Sequence, residues 1–230
     1  MNSGSRRTLL KYGLLASLTG SFSIRAYPAM AKNNFPVTPA EIEGPFYPIT
    51  RLSDQDYDLT RIGDRQALAQ GRHILLTGTV TDTQGSPISQ AQVEIWQANA
   101  AGRYQHPYDP NPAPIDPDFQ GYAIVLTDAE GAFLFRTVFP GAYPATVNWV
   151  RPPHIHFKVT HPDHIPLTTQ MYFPNHPLNT SDLLLNDKNE QERALMIARP
   201  KASTGDLKVF EYFIVLKKMS MDSSSGAHGR

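Results

Sequence analysis

The run Arg151-Pro152-Pro153-His154-Ile155-His156-Phe157 carries the densest chemistry in the sequence. In an extended strand, residues i and i+2 point to the same face about 6.6 Å apart. Two imidazoles at that spacing can converge on one metal ion. The same spacing also suits a partly buried, hydrogen-bonded pair. The chain contains no cysteine, so thiolate zinc sites, iron–sulfur clusters, disulfide scaffolds and Cys nucleophiles are excluded. Any metal has to be held by His, Tyr, Asp or Glu.

These residues need a scaffold of short strands. The chain has 230 residues, 20 of them Pro and 15 Gly, and only 18% are charged. That composition disfavours a helical bundle or coiled coil. With 21 basic and 21 acidic residues the formal net charge is zero, which gives no basic stripe for nucleic acid. Strands are expected over 74–81, 92–97, 122–127, 132–138, 154–160, 168–173 and 208–216, with one amphipathic helix over 186–198. The pattern predicts an all-β, antiparallel sandwich with long loops and little helix. The 98–121 connection is long enough to be functional.

The N-terminal 31 residues read as a targeting segment. Arg6-Arg7 precedes a weakly apolar stretch, and Ala29-Met30-Ala31 is a small-x-small cleavage signal. The pair resembles a twin-arginine export signal, which implies a periplasmic or extracellular protein with no stable membrane span after signal removal. Residues 32–71 form a Pro-rich segment expected to pack on the core. Residues 72–218 form the sandwich, and 219–230 a disordered tail.

Further motifs surround the histidines. They are Thr38-Pro39-x4-Gly44-Pro45-Phe46-Tyr47, Ile95-Trp96-Gln97-Ala98-Asn99-Ala100-Ala101-Gly102-Arg103-Tyr104, Thr127-Asp128-Ala129-Glu130-Gly131, Phe133-Leu134-Phe135 and Pro140-Gly141-Ala142-Tyr143-Pro144. Together they resemble the intradiol ring-cleavage dioxygenases over roughly residues 35–216, and most of all that family's protocatechuate branch. The resemblance implies a transthyretin-like sandwich around a mononuclear non-haem Fe(III) held by Tyr104, Tyr143, His154 and His156. Two phenolates and two imidazoles suit a hard, strongly Lewis-acidic ferric ion. It further implies that a catechol-type diol and O2 are the substrates. The diol is cleaved between its hydroxylated carbons to a cis,cis-muconate-type diacid, with Tyr143 displaced from iron as a proton acceptor. Arg151 is implied as a fixed positive charge over the ring, and Gln170 as the residue that orients it.

Two departures bear on the substrate pocket. Ala145 stands where the protocatechuate enzymes carry an aromatic residue, and the 143–154 segment is about two residues shorter. Trp149 is expected to restore aromatic surface or fill core; Tyr47 and Tyr108 are candidates for the pocket rim, with packing or turn roles as the alternative. His106 is a possible neighbour of the iron ligands, whereas His161 and His164 read as solvated. A substrate carboxylate would call for a nearby cation; Arg103 and Arg136 are candidates, neither placed by the sequence. With all four ligands in one chain, a homo-oligomer or monomer is expected, with a related non-catalytic subunit as the alternative. The competing reading is an exported transthyretin-like protein that binds a metal or an aromatic without turnover.

Overall fold

The structure is a computed structural model that describes residues 34–49 and 54–220. The proposed signal segment and residues 221–230 lie outside the described residues. The strands are β1 (His73–Asp82), β2 (Gln92–Trp96), β3 (Tyr122–Leu126), β4 (Ala132–Val138), β5 (Tyr143–Thr146), β6 (Trp149–Arg151), β7 (His154–His161), β8 (His164–Tyr172), β9 (Arg199–Thr204) and β10 (Leu207–Leu216). Two short helices, α1 (Leu183–Asn186) and α2 (Glu190–Met196), lie between β8 and β9.

Two four-stranded sheets form the sandwich, ordered β4-β1-β10-β9 and β3-β2-β7-β8, and β5-β6 form a separate hairpin. The core lies between the sheets because each strand alternates. Ile74, Leu76, Gly78 and Val80 of β1 are buried while the residues that alternate with them are partly exposed. Val93, Ile95, Ile155, Phe157, Phe210, Tyr212 and Ile214 complete the same cluster. Gly78 is required where β1 meets β10, since a Cβ there would collide with the Tyr212 carbonyl and the Phe133 ring.

The expected sandwich is present, with one exception to its antiparallel character. β10 inserts between β1 and β9 and runs parallel to β1 from Ile74↔Lys208 to Asp82↔Leu216. The single helix expected over 186–198 is two helices instead. Asp182 caps α1, and Asn189 caps α2 in a reciprocal capping box with Glu192. The chain is extended again at Ile197, and Pro200, the second residue of β9, keeps Arg199 extended as well. The β5-β6 hairpin and β9 were not expected from the pattern. The Pro-rich segment contributes Leu59 and Ala69 to the core, and Thr38 N donates to the Val215 carbonyl of β10. At the far end of the chain, Met219 N donates to the Asp163 carbonyl.

Candidate metal centre

The sheet register gathers most of the site. His154 and His156 leave β7 on one face, and across β8 they pair with Tyr172 and Gln170. On the other side, His156 pairs with Trp96 of β2, whose indole stacks on its imidazole at 4.8 Å between centroids.

The two tyrosines come from loops that are fastened together. Asn99 Oδ1 accepts from Ala101 N and Arg103 N, and its carbonyl accepts from Gly102 N and Gly141 N. Gly102 has φ +82, and a Cβ there would strike the Ala142 carbonyl. This close approach joins the Gly102-Arg103-Tyr104 turn to the Pro140-Gly141-Ala142-Tyr143 turn. Asp109 fixes the first tyrosine further, its Oδ2 accepting from Tyr104 N at 2.7 Å. The long 98–121 loop is thus the positioning device for a functional side chain.

The four side chains converge. Tyr104 Oη lies 3.1 Å from His156 Nε2, and Tyr143 Oη lies 3.4 Å from His154 Nε2. All four are buried. His154 Nδ1 is 2.7 Å from the Pro152 carbonyl, which can only accept. That contact places the proton on Nδ1 and leaves the Nε2 lone pair directed at Tyr143. Burial, aided by the charge of Arg151, lowers the His156 pKa to about 3 and holds His154 well below its usual value, so both imidazoles are neutral. Burial, followed by the neighbouring Tyr143, raises Tyr104 well above an ordinary phenol, and burial also raises Tyr143. Without a cation these phenols stay protonated; ionising them requires a strongly Lewis-acidic ion between them and the imidazoles. Among the described residues no three His, Asp or Glu side chains group to hold a metal, so the phenols are needed to complete a donor set. The set fits a ferric ion.

Arg151 is on β6, paired across the hairpin with Tyr143. Its Nε donates to Asp182 Oδ2 at 2.7 Å, and Nη2 donates to Gln170 Oε1 at 2.7 Å and Tyr172 Oη at 2.8 Å. Gln170 Nε2 is itself held by the Ile42 carbonyl. Nη1 makes no hydrogen bond to the described residues. A cavity of about 220 Å³ opens beside Tyr143, His156 and Arg151, walled by Phe46, Trp149, Ala145 and Leu184 among others. Trp149 lies 5.2 Å from the Arg151 guanidinium carbon.

Ala145 and Trp149 therefore stand at this cavity. Tyr47 does not: its hydroxyl donates to Glu94 and its ring meets Trp96 edge-on, while the preceding Phe46 lines the cavity. Tyr108 is exposed and also absent from the wall. His106 is buried beside Phe46, 5.7 Å between ring centroids. Arg103 is spent on the Ala113 carbonyl, and Arg136 lies 3.6 Å from Asp58, so neither faces the cavity. His164 is buried rather than solvated.

Sequence reasoning passed over Tyr172 and Asp182. The period of two that links His154 to His156 also places Tyr172 with Gln170 and could have found it. Asp182 is readable as a helix cap, but nothing in a chain separation of 31 residues announces its pairing with Arg151.

A family model described as Dioxygenase matches residues 42–217. The beta chain of protocatechuate 3,4-dioxygenase from Burkholderia cepacia is 41% identical over 180 residues, covering 75% of this chain and 76% of that one. This chain belongs to the intradiol ring-cleavage dioxygenase family. It is a protocatechuate 3,4-dioxygenase-like intradiol dioxygenase, and its family typically uses non-haem Fe(III). A catechol 1,2-dioxygenase from Candida albicans is 30% identical over 167 residues, 66% of this chain; the intradiol dioxygenase described here spans about half (52%) of that longer protein. Among solved structures, 3-chlorocatechol 1,2-dioxygenase from Rhodococcus opacus 1CP superposes with a TM-score of 0.63 at 25% identity, covering 79% of this chain and 72% of that one.

Proposed function

We propose that this chain holds Fe(III) through Tyr104, Tyr143, His154 and His156 and cleaves a catechol-type diol with O2 between the hydroxylated carbons, giving a cis,cis-muconate-type diacid. The observation that carries the proposal is the convergence of two neutral imidazoles and two buried phenols beside a cavity whose wall presents Arg151. Bound there, Fe(III) supplies the Lewis acidity that ionises the diol and renders the ring reactive towards O2.

The protein's own groups do the rest. Tyr143 lines the cavity whereas Tyr104 lies outside its wall, so Tyr143 Oη is the phenol oxygen placed to receive a diol proton as the substrate enters. Arg151 keeps its charge and its open Nη1 for the negative charge that develops on the ring. Asp182, Gln170 and Tyr172 fix the guanidinium before substrate arrives, so no reorientation accompanies reaction. Phe46, Trp149, Ala145 and Leu184 exclude water from the ring.

The test is a visible absorption spectrum of purified protein with metal analysis on the same sample, before and after a diol is added. A tyrosinate-to-iron charge-transfer band that shifts with diol, with O2 consumed, is the expected result. Colourless protein after iron reconstitution would favour a binding protein on the same fold.

We also propose export through the N-terminal segment, supported by Arg6-Arg7 and Ala29-Met30-Ala31. Among the described residues no helix is long and apolar enough to cross a membrane. Because one chain supplies all four donors, assembly as a monomer or homo-oligomer is the reading favoured over dependence on a non-catalytic subunit.

A further inference from the structure

We infer that the cavity selects uncharged catechols, bearing hydrogen or an apolar group on the ring, over diols that carry a ring carboxylate. The inference rests on the ring-cleavage reading above and names its substrate class.

The argument is one of charge and position. Among the lining residues Arg151 is the cation and Asp109 the carboxylate. Asp182 holds the Arg151 guanidinium at 2.7 Å and fixes where its charge acts. Arg151 lines the cavity together with Tyr143, its partner across the hairpin. A diol docked at the four donors puts its hydroxylated edge there. A carboxylate on the opposite edge of the ring points away from this guanidinium.

What it would meet is apolar. Ile42, Pro45, Pro110, Pro144, Ala145 and Leu184 supply much of the remaining wall, and none can donate a side-chain hydrogen bond. The neighbouring cations are engaged elsewhere. Arg103 donates to the Ala113 carbonyl, Arg136 faces Asp58, and Lys188 is 3.2 Å from Glu41. An ionised carboxylate brought into this wall would lose water without gaining a cationic partner, which is costly; an unpaired donor of the lining is the buried, neutral indole Nε1 of Trp149. A methyl or hydrogen in the same place gains contact. Selectivity of this kind acts by rejecting the wrong ligand. Ala145 contributes by its small size, leaving an apolar space and no polar group.

The experiment uses the iron-loaded full chain with O2 excluded, so that binding is read without turnover. Isothermal titration with catechol, 4-methylcatechol and protocatechuate gives three Kd values. The two uncharged diols are expected to bind at least about 30-fold more tightly than protocatechuate. Equal or tighter binding of protocatechuate by the wild-type protein overturns the inference while leaving the ring-cleavage reading intact. Failure of all three diols to bind overturns that reading and the inference with it. Ala145→Arg, at an exposed position that tolerates a larger side chain, is expected to narrow the ratio about tenfold in favour of protocatechuate. Leu184→Arg provides the same test from the opposing helix. Unchanged ratios in both variants, with iron content retained, would overturn the assignment of selectivity to the charge of this wall.

Discussion

The strand β7 begins and ends with histidine pairs that have opposite fates. At its start, His154 and His156 share a face and each directs Nε2 at a tyrosine hydroxyl, 3.4 and 3.1 Å away. At its end, His161 faces His164 across the turn into β8, with the two Nδ1 atoms 3.1 Å apart. His161 Nδ1 accepts from Asp163 N, so His164 Nδ1 carries the proton of that contact. The second pair is joined through its Nδ1 atoms, His164 Nε2 is buried without a hydrogen-bond partner, and among the described residues no tyrosine hydroxyl bonds to either ring. Proximity of two imidazoles is common to both ends. The donors brought in by other loops distinguish a metal centre from a turn.

The strongest way to break this contrast is to remove a donor from the first pair. His156→Ala or Tyr104→Phe should cost iron and visible colour, and lower ring cleavage about a thousandfold or more. Metal analysis and O2 uptake check this. Arg151→Ala separates charge stabilisation from metal binding: iron and colour persist while kcat falls by about 100- to 1,000-fold. Unchanged turnover would remove Arg151 from the chemistry. Asp182→Ala strips the guanidinium of its buried partner and α1 of its cap. It should destabilise the fold by about 3 kcal/mol or more in denaturant titration and reduce kcat less than Arg151→Ala does.

The smallest effects should come from the other end of β7. His164→Gln should leave iron content and turnover within about twofold, and a loss of iron would mean that the contrast is wrong. Burial, with His161 second, lowers the His164 pKa below its unfolded value of about 6.5. The unfolded chain therefore takes up the proton first as pH falls. Stability from the neutral ring is complete above pH 6.5 and lost as pH drops below it. His164→Gln should flatten the melting curve's dependence on pH on that acid side by about 2 °C.

How far the sequence reaches follows the same division. Alternation located β1, β2, β7 and β10, because burial between two sheets imposes a period of two on Ile74, Leu76 and Val80. It also put His154, His156 and Gln170 on strands that prove adjacent. The tyrosines were legible only through motif resemblance, since the fastening of Tyr104 to Tyr143 through Asn99, Gly102 and Gly141 is made of loop backbone and has no period. Tyr47 and Phe46 are neighbours in sequence with similar character. Which of them meets the cavity depends on the turn at Gly44, where φ is +76 and the backbone packs against the His156 ring. The buried status of His164 was hidden by a Pro-Asp turn that looks solvent-exposed in composition. The β5-β6 hairpin was missed because Tyr143-Pro144 read as a turn, yet that hairpin pairs Tyr143 with Arg151.

The parallel seating of β10 has a bearing on how the molecule is made. An interior strand drawn from residues 207–216 leaves β1 and β9 without their common neighbour until nearly the whole of the described chain has left the ribosome. The first sheet therefore cannot close until residues 207–216 are available, and its closure joins segments more than 120 residues apart, a slow class of contact to form. Until then the apolar face of β3-β2-β7-β8 has only β1 and β4 of the opposite sheet to cover it. The layer that carries His154 and His156 is therefore completed as half of a sandwich only once β10 is seated.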